Sequence, residues 1–165
     1  MWIYLLRHGT AQDAGPDLGD EERALTDEGQ KRLRRAAPTW RRLVDPPDRV
    51  VVSPLRRARQ TAEVFVEAVH FTGTLRIDNL LTPAATPGLA VGMLEAEQLA
   101  GTGSIALIGH EPHLGRVLGT LLTGQAGSSI PLKKGMLVGV ETETTTNLVA
   151  SLRFALSQRA AGKLA

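Results

Sequence analysis

Two histidines and a group of arginines stand where they could handle a phosphoryl group. Arg7, His8 and Gly9 follow directly on the apolar run WIYLL (2–6), and His110 follows SIALIG (104–109). Arg56, Arg57 and Arg59 come just after RVVV (49–52), inside SPLRRARQTA (53–62). An imidazole can attack phosphorus and hold the group as a phosphohistidine that water then cleaves. Arginine forks and a second imidazole would neutralise the equatorial oxygens meanwhile. Gly9 lets the backbone turn tightly or come close to a ligand.

Such groups are useful only if the chain brings them together, and the surrounding pattern does so. The runs 2–6, 49–52, 104–109, 136–141 and 148–154 are rich in Val, Ile and Leu and read as strands. Helical patterns lie between them. Thr26 is an N-cap with Asp27 and Glu28 in the first turn, and Leu33, Ala37, Trp40 and Val44 share a face, with a kink expected at Pro38. Ser53-Pro54 reads as an N-cap and first-turn proline for a helix whose stripe is Ala58, Ala62, Phe65, Val66 and Val69. Helices are also expected over 86–100 and 112–123, the latter started by Pro112. Alternating strands and helices predict an α/β fold, a three-layer sandwich whose central sheet is mainly parallel, with sites at the carboxyl ends of strands. The stretch 142–147 reads as a hairpin loop. Residues 1–157 are expected as one domain and 158–165 as a tail that frays.

Composition narrows the function. At 165 residues with 42% hydrophobic content the chain can build one sizeable core. A formal charge of +2 gives no reason to expect a nucleic-acid or membrane partner. Of the 19 basic residues only Lys31, Lys133, Lys134 and Lys163 are lysines, so fifteen are arginines, the side chain suited to bidentate contact with phosphate. The absence of Cys removes thiol catalysis and Cys-ligated zinc and fits a cytoplasmic protein. The opening apolar run is too short for a signal peptide, so a soluble, cytoplasmic protein is expected.

Taken together, RHG at 7–9, SPLRRARQTA at 53–62 and GH at 109–110 resemble the signature of the histidine phosphatase superfamily, also called phosphoglycerate-mutase-like. RALTDEG (23–29), KKG (133–135) and Ala11 after RHG further resemble its small, single-domain phosphohistidine phosphatase branch, the SixA-like one. The resemblance runs from residue 2 to about residue 155. It implies that His8 is the nucleophile, that Arg7 and Arg57 clamp phosphate with Gly9 beside them, and that His110 is the second histidine of the pocket. It implies no cofactor and no metal. One position departs: where the branch often has Glu in a Glu-Leu-Thr-Pro segment, this chain has NLLTP, with Leu80 in place of the proton donor. The acid is then missing or comes from elsewhere. Asp20, in the acidic loop 13–22 that could reach over the pocket, and Glu111, beside His110, are the candidates.

Plainer readings cover the rest. Arg56 and Arg59 are expected on a solvated helix face, as are Arg32, Arg34, Arg35, Arg41 and Arg42. His110 and His113 in HEPH lack a third ligand for a metal. His70 is a favourable cation at a helix end. The reading that results is a metal-independent phosphatase working through His8. Protein phosphohistidine is the preferred substrate, with a small phosphorylated metabolite as the other. A phosphate-binding module without turnover is the alternative that Leu80 suggests.

Overall fold

The computed structural model describes residues 1–15, 18–143 and 148–165. Six strands form one sheet in the order β3-β2-β4-β1-β5-β6: β1 (Trp2–Arg7), β2 (Arg49–Val52), β3 (Arg76–Ile77), β4 (Ser104–Gly109), β5 (Leu137–Thr142) and β6 (Ala150–Leu156). The first four in that order run parallel, and β5 and β6 are antiparallel additions beside β1. The mainly parallel sheet therefore stands. β3 has no counterpart among the expected strands, because its two residues are both exposed and leave no apolar pattern. Of the expected hairpin loop, Thr142 belongs to β5 and residues 144–147 lie outside the described residues.

Five helices cover both faces: α1 (Asp27–Leu43), α2 (Arg56–Ala68), α3 (Pro87–Leu99), α4 (His113–Thr123) and α5 (Gln158–Leu164). Strand alternation splits the core accordingly. Tyr4 and Leu6 of β1 point with Val50, Val52, Ala106 and Ile108 to Leu33, Trp40, Ala58, Phe65 and Ala161 of α1, α2 and α5. Ile3 and Leu5 point the other way, with Val51, Ile105 and Leu107, to Ala90, Leu94, Leu114 and Val117 of α3 and α4. Two cores on one sheet make the three-layer sandwich.

Local chemistry sets the helix ends. The Thr26 hydroxyl accepts the N–H of Gly29 at 3.0 Å and starts α1, which runs on through Pro38. Ser53 is no helix cap, however: α2 begins after Leu55, and the Ser53 side chain is engaged elsewhere. The C-terminal residues are a second correction, since Gln158–Leu164 form α5 rather than a fraying tail. Ser157 caps α5, Ala161 is fully buried, and α1 supplies donors to its last carbonyls. Thr39 donates to Ala161 at 2.8 Å, Arg35 to Gly162 at 3.1 Å, and Arg42 to Leu164. Arg35 and Arg42 are thus exposed but not idle, while Arg32, Arg34 and Arg41 face solvent as expected. His70 sits just past α2 with φ 54°.

Candidate functional site

The site follows from register. β1 and β4 end level, Arg7 opposite Gly109, and Val52 of β2 lies opposite Ile108. Each ladder continues one residue further: the His8 N–H donates to the Gly109 carbonyl and the Ser53 N–H to the Ile108 carbonyl, both at 3.0 Å. Three parallel strands therefore deliver His8, His110 and Ser53 side by side at the carboxyl edge of the sheet. The rings of His8 and His110 are 4.9 Å apart between centroids and tilted by 51°. The convergence expected from the sequence is met by these two.

Both rings are buried, His8 to 7% exposure and His110 to 1%. His8 Nδ1 lies 2.7 Å from the Gly9 carbonyl. A carbonyl oxygen only accepts, so Nδ1 carries the hydrogen and Nε2 keeps the lone pair. Burial, helped by the charges of Arg57, Arg7 and Lys134, pushes the His8 pKa down to about 4, although the hydrogen bond to Gly9 works against it. At neutral pH the ring is the uncharged, nucleophilic form. His110 is pushed lower still, to about 2, by burial first and then by the neighbouring His8 and Arg57. Its Nε2 is 2.8 Å from the Ser53 hydroxyl, and its Nδ1 is buried without a hydrogen-bond partner among the described residues. A dianionic ligand beside the rings would favour the charged form of His110 and turn its unpartnered Nδ1 into a donor, while His8 keeps its lone pair at Nε2.

The arginines divide. Arg57 is 4% exposed and faces the site from the first turn of α2, whereas Arg56 and Arg59 are exposed, as expected. Arg7 is fixed by a 2.6 Å hydrogen bond from Nη1 to the Leu132 carbonyl, and its Nε is buried without a partner among the described residues. Lys134, on the rim, follows the same loop. Gly135, at φ 65°, donates its N–H to the carbonyls of both Arg7 and His8 at 3.1 Å, so the loop just before β5 grips the peptide that carries His8. A Cβ at Gly9 would lie 2.8 Å from Leu33 Cδ1, so the glycine lets the loop pack on α1.

Both expected proton donors are hydrogen-bonded. Asp20 does reach the pocket, but its carboxylate accepts from Arg57 Nη2 at 3.0 Å and from Arg23 Nη1 at 2.7 Å. Slight burial raises its pKa, and these arginines outweigh that and hold it below the usual range, so it is ionised. Glu111 is used structurally: Oε1 accepts the Leu132 N–H at 3.0 Å, which positions the carbonyl that holds Arg7. Leu80 is half-buried in a single 3-10 turn after β3. His113 is 1% exposed with neither ring nitrogen partnered among the described residues, and no cluster of three or more His, Asp or Glu there could hold a metal.

Ser53, Gln60 and Thr61 are the residues sequence reasoning passed over. Thr61 Oγ1 receives the Gly9 N–H at 3.2 Å, and Gln60 Oε1 receives the Leu25 N–H at 2.7 Å. With Ser53 on His110 and Arg57 on Asp20, the segment 53–61 ties four separate parts of the chain to one helix start. Its spacing carried that signal, since 57, 60 and 61 fall on one helical face.

Comparison with known proteins decides the family. A curated relative, the phosphohistidine phosphatase SixA of Escherichia coli (strain K12), is 31% identical over 126 residues, 76% of each chain. The chain belongs to the histidine phosphatase superfamily. Residues 3–82 match the histidine phosphatase superfamily (branch 1). An uncharacterized protein of Picosynechococcus sp. is 32% identical over 142 residues, 86% of each chain. Among solved structures, the protein histidine phosphatase SixA complexed with tungstate shares the fold with a TM-score of 0.86 at 24% identity, covering 96% of this chain and 98% of that one. Membership in the histidine phosphatase superfamily supports phosphatase activity. No helix among the described residues is long and apolar enough to cross a membrane.

Proposed function

We propose that this protein is a metal-independent phosphatase that works through a phosphohistidine on His8 and takes phosphohistidine on a protein as its substrate. His8 Nε2 attacks phosphorus as the bond from phosphorus to the substrate nitrogen breaks, and the substrate imidazole leaves neutral, keeping the proton on its other nitrogen. Water then attacks the phosphorus of phospho-His8, the bond to Nε2 breaks, and orthophosphate leaves with His8 neutral again. Arg7, Arg57 and His110 neutralise the equatorial oxygens in both steps. The observation that carries this is the His8 tautomer: a neutral ring with Nδ1–H on the Gly9 carbonyl at 2.7 Å presents its lone pair at Nε2.

The substrate follows from the leaving group. An alkyl phosphoester expels an alkoxide that needs a proton in the transition state, help typically worth ~10²–10⁴-fold. Leu80 has none to give, Asp20 is ionised on two arginines, and Glu111 accepts the Leu132 N–H. A protonated phosphoimidazole places little demand on an enzyme acid, so this pocket suits it. The E. coli relative, a phosphohistidine phosphatase, points the same way. A cytoplasmic location fits a phosphoprotein substrate and the absence of Cys. The test compares kcat/KM, with chelator present, for a phosphohistidine peptide, an aryl phosphate and an alkyl phosphate in wild type and Leu80→Glu. The first two should exceed the third, and Leu80→Glu should raise only the third. A wild type that prefers the alkyl ester makes a small phosphorylated metabolite the substrate. No turnover of any leaves a phosphate-binding module.

A further inference from the structure

We infer that Arg23 and the outer edge of Arg57 form a second anion subsite beside the phosphoryl pocket, which takes a carboxylate carried by the substrate, and that Asp20 fills it in the free protein. This rests on the pocket reading above. One carboxylate spans two guanidiniums: Asp20 Oδ1 accepts from Arg23 Nη1 at 2.7 Å and Oδ2 from Arg57 Nη2 at 3.0 Å, while the Asp20 carbonyl accepts from Arg57 Nη1 at 2.6 Å.

The cations are mounted and the anion is not. Arg23 Nε donates to the Gln12 carbonyl at 2.7 Å, and Gln12 is itself paired with Ala24 through its N–H and its side-chain oxygen. The next residue, Leu25, is buried and fixed to α2 through Gln60. Arg57 is 5% exposed at the side chain and Arg23 22%, whereas Asp20 is 52% exposed on a single 3-10 turn with no side-chain cap. The carboxylate is therefore the member that another carboxylate can replace. A guanidinium has five N–H donors, and Asp20 takes two of those on Arg57, so the same arginine can serve a phosphoryl oxygen as well. A ligand bearing both groups fills both places, and a bare phosphoryl group leaves Asp20 where it is.

The experiment measures calorimetric binding of methylphosphonate, phosphonoacetate and 3-phosphonopropionate to wild type, Arg23→Gln and Asp20→Asn. At least one carboxylated ligand should bind wild type about fivefold more tightly than methylphosphonate, the upper end for a partly exposed ion pair. Arg23→Gln should bring that ratio toward one, and Asp20→Asn should increase it. Equal affinities for all three ligands in wild type and in Asp20→Asn overturn the subsite. Methylphosphonate that fails to bind overturns the pocket reading instead, and the subsite with it. Phosphohistidine peptides with Glu or Gln next to the phosphorylated residue identify the source. A Glu preference means a protein side chain, and a preference confined to the phosphonates means a small phosphorylated acid. Either outcome upholds the subsite.

Discussion

The floor of the site and its rim are built on opposite terms. On the floor, His8, His110 and Ser53 stand just beyond strand ends and Thr61 within α2, all nearly or fully buried, each with a fixed partner. On the rim, Asp20 and Arg23 meet through ion pairs that solvent reaches. Burial on the floor strips the imidazoles of charge and keeps them reactive. Exposure on the rim keeps charge and lets partners exchange. The proposed reaction needs both, since its nucleophile must be neutral and aimed while the proposed anion grip must open for each new ligand.

The sharpest way to test this contrast is to remove the proposed nucleophile. His8→Ala should lower hydrolysis by on the order of 10³-fold or more and abolish the acid-labile, base-stable phosphoenzyme seen by rapid quench. Acid is the next probe. With a folded pKa of about 4 against an ordinary 6.5, His8 refuses a proton that the unfolded chain accepts. Its contribution is therefore present above pH 6.5 and lost as pH falls toward 4, by ~3 kcal/mol in all. Denaturant midpoints should drop across that window, and His8→Gln should lessen the slope without abolishing it, because His110 is lowered as well. Gly29→Ala would put a Cβ 2.2 Å from the Thr10 carbonyl oxygen, driving α1 against the loop after His8. It should cost ~1–3 kcal/mol, read as a lower Tm.

Ser53→Ala frees His110 and leaves a buried nitrogen unpaired, for a loss of about tenfold in kcat with a shifted pH profile. Arg23→Gln, on the rim, should change unfolding free energy by less than ~1 kcal/mol. If it destabilises as much as Gly29→Ala, the rim is structural and the contrast is void.

Much of the floor was legible because strand ends are punctuated by residue type. RHG after WIYLL and GH after SIALI announce where the chain leaves the sheet. What was missed depends on partners far along the chain. Ser-Pro is a common helix start, and only the arrival of β4 beside β2 turns Ser53 toward His110. The helix α5 shows a weak apolar pattern of its own, and α1 holds it through Thr39, Arg35 and Arg42. Asp20 could be placed over the pocket from its loop, but its ionised state follows from two guanidiniums that the sequence does not align with it.

The central position of β1 also governs how the molecule comes into being. Trp2 pairs with Ser104 on one side and Glu141 on the other, so this strand is made well before either of its sheet neighbours. High contact order of this kind slows folding. Until then WIYLL is an apolar, β-prone segment with both edges open, the sort that associates with other chains or is held by chaperones. His8 directly follows that strand, so a chain lacking β4 and β5 has the proposed nucleophile without the neighbours that aim it.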